Sequence, residues 1–505
     1  MTAGAELTYK SSMEFSPPPS LLFMAYCYFI ISGMYFCSGK RQTDTGRAKE
    51  KIIRPIIFTA ACSNRKGYIM RVRPRWISIF APVVLLLYSG ALFAASTVEP
   101  ADRLDQPWWA ERHEAVLKQI KEQPVDLILM GDSINHGWEG AGKEVFDKYY
   151  KNRNTVNMGF SGDRTEHVLW RLDHGEVDGI QPKVVSLMIG TNNCSANTAE
   201  EIGEGIIAVV KKLREKLPQT KVLLLAIFPR EEKPGETRDK LAKASEIASA
   251  VADGDMVHYL DIGSVFLSED GTLTKEVMPD ALHPNAHGYA LWAAAVEQKL
   301  AELLGEPVPP EGFRVLFNGK DLRGWKGLVG DPRSRAKMSE KVLAKRQEKA
   351  DALMHEHWKV EDGVIVFDGK GENLCTERDY GDFEFIVDWK IQEKADSGIY
   401  LRGSPQVQIW DAGLNPEGSG GLWNNQNNPN KPDKCADKPL GEWNRFHIIM
   451  VGEKVSVYLN DELVVNNVTL ENYWERDKPI YPTGSIELQN HGDKLWFKNI
   501  FVKEL

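Results

Sequence analysis

Five apolar runs of strand length dominate the middle of this 505-residue chain and limit the folds that it can adopt. They are continuous rather than alternating, which is typical of strands with both faces buried. Such strands form parallel sheets that helices cover on each side. The runs are VDLILMGD (125–132), TVNMGF (155–160), VVSLMIGTN (184–192), KVLLLAIFP (221–229) and VHYLDIG (257–263).

The segments between these runs have helical patterns. TAEEIGEGIIAVVKKLREKL opens with a capping box of Thr198 and Glu201, and a proline follows its basic last turn. The last helix, HGYALWAAAVEQKLAELLG, ends on Gly305. This alternation of strand and helix predicts a three-layer, doubly wound, flavodoxin-like α/β domain over residues 96–305.

The chain changes character after this domain. Residues 306–312 are rich in proline and glycine and are predicted to be a linker. Beyond them, short alternating segments rich in β-branched and aromatic residues predict an antiparallel β-sandwich over 313–505. A charged helical insertion at 334–354 is expected to be a solvated helix on the sandwich edge.

The amino-terminal region differs from the rest in charge. Residues 1–95 hold 12 basic and 4 acidic side chains, whereas the remainder holds 50 and 67. The excess of acidic side chains after residue 95 argues against nucleic acid as a partner. Within 70–95, three arginines precede an apolar run and a small-residue site, a pattern that indicates a signal peptide and export to the periplasm or medium.

Two alternatives concern this region. The apolar run of the signal could remain as an uncleaved membrane anchor. Residues 1–69 are either an extension before a true start at Met70 or contain a short membrane helix at about 21–36. Only Cys194, Cys375 and Cys435 follow, which allows one disulfide at most and excludes a disulfide framework.

Four groups of polar residues lie at or just after the ends of elements in the predicted α/β domain. Ser133 follows the first strand, GFSGDRT (159–165) the second and GTNN (190–193) the third, and DALH (280–283) precedes the last helix. Parallel α/β sheets bind ligands at the carboxyl ends of their strands. These distant residues are therefore expected to converge.

The residue types suit acyl transfer. Ser133 is a weak nucleophile until a base takes its proton, which His283 can do while Asp280 holds the imidazole. The backbone N–H groups of Ser133 and Gly162 and the side-chain amide of Asn192 are candidate oxyanion donors. This chemistry calls for no cofactor and no metal.

Other polar residues of these motifs have simpler interpretations. His136 is expected at the pocket rim, and His287 on a helix surface rather than in a metal site. Asp163 and Arg164 are expected to form a structural turn or ion pair, and Asp132 to hold the loop of the nucleophile.

The order of GDS, Gly, GTNN and DxxH resembles the SGNH, or GDSL-like, hydrolases. A closer resemblance, over about 105–305, is to the catalytic subunits of platelet-activating-factor acetylhydrolase Ib. It rests on GDSI, GFSGDRTEHVLWRLDHGE, QPKVVSLMIGTNN, IFPREEKP and DALHPNAHGY. The resemblance implies the same five roles as above. Asn135 departs from the threonine usual in the family, which leaves pocket detail open.

The second domain resembles the 3-keto-disaccharide hydrolase type, a concanavalin-like jelly roll. GFRVLFNGKDLRGWKG, SGIYLRG, VQIWDAG, KPLGEWNRFHI and GSIELQNHGDKLWFKNI carry this resemblance. It implies sugar binding or glucoside cleavage. Gln406 stands where most relatives have an acid, which favours binding over catalysis. The candidate sugar-binding residues are Arg402, Gln408, Asp411, Trp443 and His491, with Trp410 and Trp423 as further stacking faces.

Together these features predict an exported serine esterase that removes short acyl groups, acetyl above all, from carbohydrate. The sandwich is expected to bind or cleave the glycan. Two alternatives stay open at this point: an acetylhydrolase of phospholipid-like esters, and a sugar-binding surface protein with a vestigial hydrolase.

Overall fold

Five parallel strands form the sheet that the apolar runs predict. They come from a computed structural model that describes residues 96–505; the predicted extension and signal peptide lie outside the described residues. The strand order is β2-β1-β3-β4-β5, so the chain reverses its winding direction at β1. The strands are β1 (Leu127–Gly131), β2 (Thr155–Gly159), β3 (Val184–Met188), β4 (Lys221–Leu225) and β5 (Val257–Leu260).

Helices cover both faces of this sheet. They are α1 (Pro107–Glu122), α2 (Ser133–His136), α3 (Lys143–Tyr149), α4 (Thr165–Asp173), α5 (Ala199–Lys216), α6 (Glu236–Ser249) and α7 (Ala286–Leu304). In β1, Ile128 and Met130 pack with α1, α4, α5 and α6, whereas Leu127 and Leu129 pack with α3 and α7. Both faces are fully buried, and each such side chain contributes about 1.5–3 kcal/mol. This confirms the three-layer α/β prediction.

The carboxyl-terminal half is an antiparallel sandwich, also as predicted. One sheet has the order β13-β12-β17-β10-β7, and the other runs β16-β15-β14-β11-β18-β9-β8 with β6 paired to β18. The strands are β6 (Arg314–Val315), β7 (Trp325–Gly327), β8 (Trp358–Glu361), β9 (Val364–Phe367), β10 (Leu374–Thr376), β11 (Phe383–Ile391), β12 (Asp396–Leu401), β13 (Ser404–Trp410), β14 (Asn444–Val451), β15 (Lys454–Leu459), β16 (Glu462–Thr469), β17 (Glu487–Leu488) and β18 (Leu495–Glu504).

The charged insertion forms two helices, α8 (Pro332–Ala336) and α9 (Glu340–His357). Helix α9 packs against the edge strand β7, where the Asp351 carboxylate accepts the Gly327 N–H at 3.0 Å. A Cβ on Gly327 would lie 2.2 Å from the Ala350 carbonyl oxygen, so this contact requires glycine. The insertion thus caps a sheet edge, as expected from its sequence.

Buried charges join the two domains. Arg153, just before β2, pairs with Glu297 of α7 and with Glu306 of the linker at 2.7 Å each. The Glu297 carboxylate also accepts the Val315 N–H of β6 at 3.1 Å. Arg323 lies 3.6 Å from Asp126, which immediately precedes β1. The sandwich therefore docks on the amino-terminal edge of the parallel sheet.

Two further observations bear on the predictions. Among residues 96–505, no helix is both long and apolar enough to cross a bilayer. Cys194, Cys375 and Cys435 are free thiols, so the one disulfide that the sequence allows does not form.

Candidate active site

Ser133 lies just past the carboxyl end of β1 and begins the short helix α2. The Asp132 carboxylate caps this helix by accepting the Ile134 N–H at 2.9 Å. Helix α2 passes so close to β2 that a Cβ on Gly159 would lie 2.2 Å from the His136 backbone nitrogen. Glycine at this position therefore lets the turn pack tightly and fixes where Ser133 stands.

Three side chains form a hydrogen-bonded relay at this point. The Ser133 Oγ lies 2.8 Å from Nε2 of His283, and Nδ1 of the same ring lies 2.7 Å from Oδ2 of Asp280. The other Asp280 oxygen accepts the His283 N–H at 2.7 Å, which fixes the backbone of the pair. The relay has the geometry of a nucleophile, a base and an orienting carboxylate.

The environment of the Asp280 carboxylate favours its ionised form. Partial burial acts to raise the pKa of Asp280, but the hydrogen bonds from His283 and the neighbouring backbone outweigh it and hold the pKa below its ordinary value. Both side chains are open to solvent, at 57 % exposure for Asp280 and 41 % for His283. A bulky substrate therefore has access to the relay.

The two other predicted groups also reach this edge. Gly162 follows β2 in a left-handed conformation with φ of +76°, which favours glycine. The Asn192 Nδ2 donates to the carbonyl oxygen of Asp163 at 2.9 Å. That bond uses one of its two N–H groups and leaves the second for a ligand. The structure thus ties Asn192 to the loop that carries Gly162.

A buried ion cluster holds this loop, and Asp163 and Arg164 form their ion pairs with other residues rather than with each other. Asp163 is fully buried and accepts hydrogen bonds from Nε of Arg171 at 2.9 Å, from Trp109 Nε1 at 2.8 Å and from Arg103 at 3.1 Å. The predicted partner Arg164 instead lies beside Glu166. The ordering of α1 and α4 around the loop, rather than sequence proximity, selects the partners.

Arg171 is the centre of this cluster. Its guanidinium is fully buried, pairs with Glu176 as well as Asp163, and lies 4.0 Å from the Phe160 ring centroid. Burial acts to raise the pKa of both carboxyls, whereas the Arg171 charge acts to lower it. Two carboxylates against one buried cation make the arginine essential to the loop.

Two buried polar side chains lie under the nucleophile without full hydrogen bonding. Asp132 is fully buried, its Oδ2 lacks a hydrogen-bond partner, and burial raises its pKa to about 7. Neither amide atom of Asn135 has a partner, and a Cβ on Gly131 would lie 2.4 Å from its oxygen. The residue that departs from the family therefore fills space beneath Ser133 rather than facing solvent.

The other histidines take no part in the relay. His136 Nδ1 lies 2.9 Å from the Ser161 Oγ, which places His136 at the rim as expected. His287 lies in the first turn of α7. No group of three or more metal-binding side chains occurs within residues 96–505.

In the sandwich, two of the predicted sugar-binding residues meet around one carboxylate. The Gln408 Nε2 donates to Asp396 Oδ1 at 2.7 Å, and the His491 ring lies 3.8 Å from the other Asp396 oxygen. Gln408 is buried, and its Oε1 accepts the amide of Gln406. His491 is exposed. This polar group lies at the Asp396 end of β12 and at β13.

The remaining candidates make structural contacts, although Asp411 lies beside this group, where its N–H donates to the Ala395 carbonyl at 3.2 Å. Arg402 is buried and donates to Asp382 and to the carbonyls of residues 381 and 481. Asp411 accepts the N–H groups of residues 394 and 413 and so closes a turn. Trp443 precedes β14 in the other sheet, where Lys498 lies 4.2 Å from its ring centroid. These three were expected with Gln408, and strand topology separates Trp443 from it.

The two other candidate tryptophans of the sandwich differ in burial. Trp410 is buried and donates to the Gly418 carbonyl at 2.7 Å, so it is a core residue. Trp423 is 42 % exposed.

The buried acid Glu487, on β17 of the five-stranded sheet of the sandwich, was not among the residues predicted from the sequence. Glu487 is 1 % exposed and accepts hydrogen bonds from Ser485 at 3.1 Å and Asn373 at 3.2 Å. Its position between two apolar residues in SIELQ could have placed it on the polar face of a strand, but nothing in that pattern signals burial.

Comparisons with known proteins agree with this architecture. The GDSL-like lipase/acylhydrolase family matches residues 129–291, and the 3-keto-alpha-glucoside-1,2-lyase-like domain matches residues 312–503. The alpha2 subunit of platelet-activating factor acetylhydrolase IB from Rattus norvegicus is 34% identical over 214 residues, which cover 42% of this chain and 90% of that protein.

The alpha1 subunit from Pongo abelii is 33% identical and covers 39% of this chain and 85% of that protein. A solved GDSL-like lipase from Bacteroides thetaiotaomicron aligns at 20% identity over 39% of this chain and 97% of its own, with a TM-score of 0.32. The chain therefore belongs to the GDSL-like lipase/acylhydrolase family as an SGNH-type ester hydrolase, with a 3-keto-alpha-glucoside-1,2-lyase-like domain at its carboxyl end.

Proposed function

We propose that the enzyme removes acetyl and other short acyl groups from carbohydrate after export from the cytoplasm. The observation that carries the proposal is the Ser133–His283–Asp280 relay, with contacts of 2.8 and 2.7 Å, at an open sheet edge. The same chain ends in a carbohydrate lyase-like domain, which favours a glycan as the acyl carrier.

Acylation begins with the serine. Nε2 of His283 accepts the Ser133 proton as Oγ attacks the ester carbonyl. Asp280 keeps the imidazole in the useful tautomer and stabilises the imidazolium that forms. The N–H groups of Ser133 and Gly162 and the free N–H of Asn192 stabilise the oxyanion. Collapse of the intermediate breaks the carbon–oxygen bond to the sugar, transfers the proton from His283 to the departing sugar oxygen and leaves acyl-Ser133.

Deacylation repeats these steps with water. His283 takes a proton from the water as it attacks the acyl carbonyl, and the same donors hold the second oxyanion. The returning proton restores the Ser133 hydroxyl, and the carboxylic acid leaves. Each step uses side-chain and backbone groups at this edge, together with water.

The sandwich is proposed to bind sugar through the group of Gln408, Asp396 and His491. It docks on the amino-terminal edge of the parallel sheet, whereas Ser133 is at the carboxyl edge. Five residues of strand separate the edges by about 17 Å. A short glycan would therefore contact one site at a time, and only a longer chain or two separate glycans would occupy both.

The test replaces Ser133 with Ala and measures acetate release from glucose pentaacetate. Loss of the nucleophile is expected to lower kcat by at least about 10⁴-fold. Ser249→Ala, a change of a half-buried serine whose hydroxyl donates to the Glu246 carbonyl within α6, is the matched control and should leave kcat unchanged. Activity that persists in Ser133→Ala would remove Ser133 from the mechanism.

A second candidate substrate is an acetylated ether phospholipid. The identity of 34% to a platelet-activating factor acetylhydrolase subunit favours it. The two candidates are separated by kcat/KM of the purified enzyme for glucose pentaacetate against an acetylated ether lipid below its micelle concentration. A higher value for the lipid would overturn the carbohydrate assignment but keep the esterase mechanism.

A further inference from the structure

One short segment beside the relay exposes apolar surface. Within residues 96–305, the large hydrophobic side chains classed as exposed are Leu104, at 51 %, and Trp108, at 38 %. Both belong to the segment 103–108, which includes the first residues of α1. Two exposed apolar side chains in one short segment are candidate contacts for a ligand.

This segment is tied to the catalytic loop. Arg103 donates to the Ser161 carbonyl at 2.7 Å, and its guanidinium lies 3.1 Å from where a Cβ of Gly162 would be. The Trp108 ring stacks on His136 with centroids 6.3 Å apart and planes 19° apart. His136 is one helical turn after Ser133. Trp108 is therefore linked to the helix of the nucleophile through His136.

The indole is held in place before any ligand arrives. Its Nε1 donates to the Gln106 Oε1 at 3.2 Å, and the same oxygen accepts Nη2 of Arg103 at 2.9 Å. A ring fixed in this way loses little conformational entropy on binding. Trp108 is a preorganised aromatic surface rather than a loose side chain.

The chemistry around the ring selects among ligands. Arg103 already places a cation 5.5 Å from the ring centroid, so a quaternary ammonium group would meet a like charge there. A sugar ring is neutral, stacks its C–H face on an indole and offers hydroxyls to the surrounding polar groups. Burial and the charge of Arg112 lower the pKa of His136, so its ring adds no charge at neutral pH.

We infer that Trp108, supported by His136 and Arg103, forms the subsite that binds the sugar ring whose ester Ser133 attacks. This inference rests on the proposed carbohydrate esterase function. Trp108 is then a specificity residue: it contributes to binding of the acyl carrier and takes no part in proton transfer or oxyanion stabilisation.

The test compares two acetyl esters in the full-length enzyme: glucose pentaacetate, which has a sugar ring, and vinyl acetate, which has none. Trp108→Ala is expected to raise KM for glucose pentaacetate by up to about tenfold at unchanged kcat. Its kcat/KM for vinyl acetate should stay within about twofold of wild type, and Trp108→Phe should restore most of the sugar affinity. Val342→Ala, a change of an exposed apolar side chain on α9, is the control.

Four outcomes would overturn the inference. An equal loss on both esters would make Trp108 a structural support of the loop, and no change on either would remove it from the site. Loss of binding to phosphatidylcholine vesicles in Trp108→Ala, with sugar kinetics unchanged, would assign the segment to lipid. Wild-type enzyme that fails on glucose pentaacetate but cleaves vinyl acetate would instead reject the carbohydrate function itself, and the sugar subsite with it.

Discussion

Two polar regions of this molecule each place a histidine beside an aspartate, but they differ in how deeply their other polar groups are buried. At the carboxyl edge of the parallel sheet, Ser133 and His283 form an open relay in which solvent reaches the reacting atoms. On the five-stranded sheet of the sandwich, Gln406 and Gln408 are buried and bonded to each other. The first arrangement suits a group that must move a proton, whereas the second suits recognition of a neutral ligand.

The largest expected effect separates the two histidines of these regions. His283→Ala should lower kcat for glucose pentaacetate by about 10⁴-fold, because Ser133 loses its base. His491→Ala, in the sandwich, should leave this rate unchanged since its ring contacts only the Asp396 group. The measurement is steady-state acetate release. Equal losses in both variants would mean that the two sites are coupled and would break the comparison.

The two regions also differ in how deeply their ion pairs are buried. Arg171→Met leaves Glu176 buried without its cation and Asp163 paired with Arg103 alone, and it should lower the free energy of unfolding by about 3–5 kcal/mol. The control is Lys434→Met in the sandwich, where the lysine side chain is 50 % exposed and pairs with Glu462, which is 58 % exposed. That change should remove only about 0–1 kcal/mol. Urea unfolding measures both, and similar values would show that Arg171 has no special role.

The sequence sufficed for whatever depends on local pattern and strand ends. The continuous apolar runs predict the parallel sheet, and the rule that ligands bind at carboxyl ends brings Ser133, Gly162, Asn192 and His283 to one edge. It did not suffice for contacts between helices that are distant in the chain. Nothing in the motif GDRT indicates that the partner of Asp163 lies on α4 rather than next to it.

The sandwich was harder to interpret for a related reason. Alternation places a residue on a face of a strand, but it does not state which sheet that strand joins or whether a loop covers it. Trp443 and Gln408 are both candidate sugar-binding residues by pattern. Trp443, however, precedes β14 of one sheet, whereas Gln408 lies in β13 of the other. Arg402 looks like a ligand donor in sequence and instead ties loops together.

The pH dependence of the free energy of unfolding tests whether the buried acids of the two regions are protonated in the folded enzyme. Burial raises the pKa of Asp132 to about 7, so the folded enzyme keeps a proton that the unfolded chain loses near pH 4. Unfolding then releases a proton, and the free energy of unfolding falls as pH rises from about 4 to about 7. Asp132→Asn removes this contribution and still caps α2. The variant should therefore gain on wild type by up to about 1.4 kcal/mol per pH unit over this range.

Urea unfolding at several pH values gives that difference directly. Glu487→Gln is the counterpart in the sandwich, because burial also raises the pKa of Glu487 and the trend should have the same sign. A flat difference between wild type and Asp132→Asn would show that Asp132 is ionised in the folded enzyme.

The smallest expected effect concerns sugar binding by the sandwich. Gln408→Leu removes the amide that joins Asp396 to Gln406 and should weaken binding of 3-ketosucrose, a 3-keto-α-glucoside, by about tenfold, the loss of one or two hydrogen bonds. Calorimetric titration of the full-length enzyme measures the Kd. Acetate release from glucose pentaacetate should not change, because the sandwich docks at the opposite edge of the sheet from Ser133. A variant that binds the disaccharide as wild type does would leave the buried amides with a purely structural role, and the difference between the two polar regions would then be one between a catalytic site and a core.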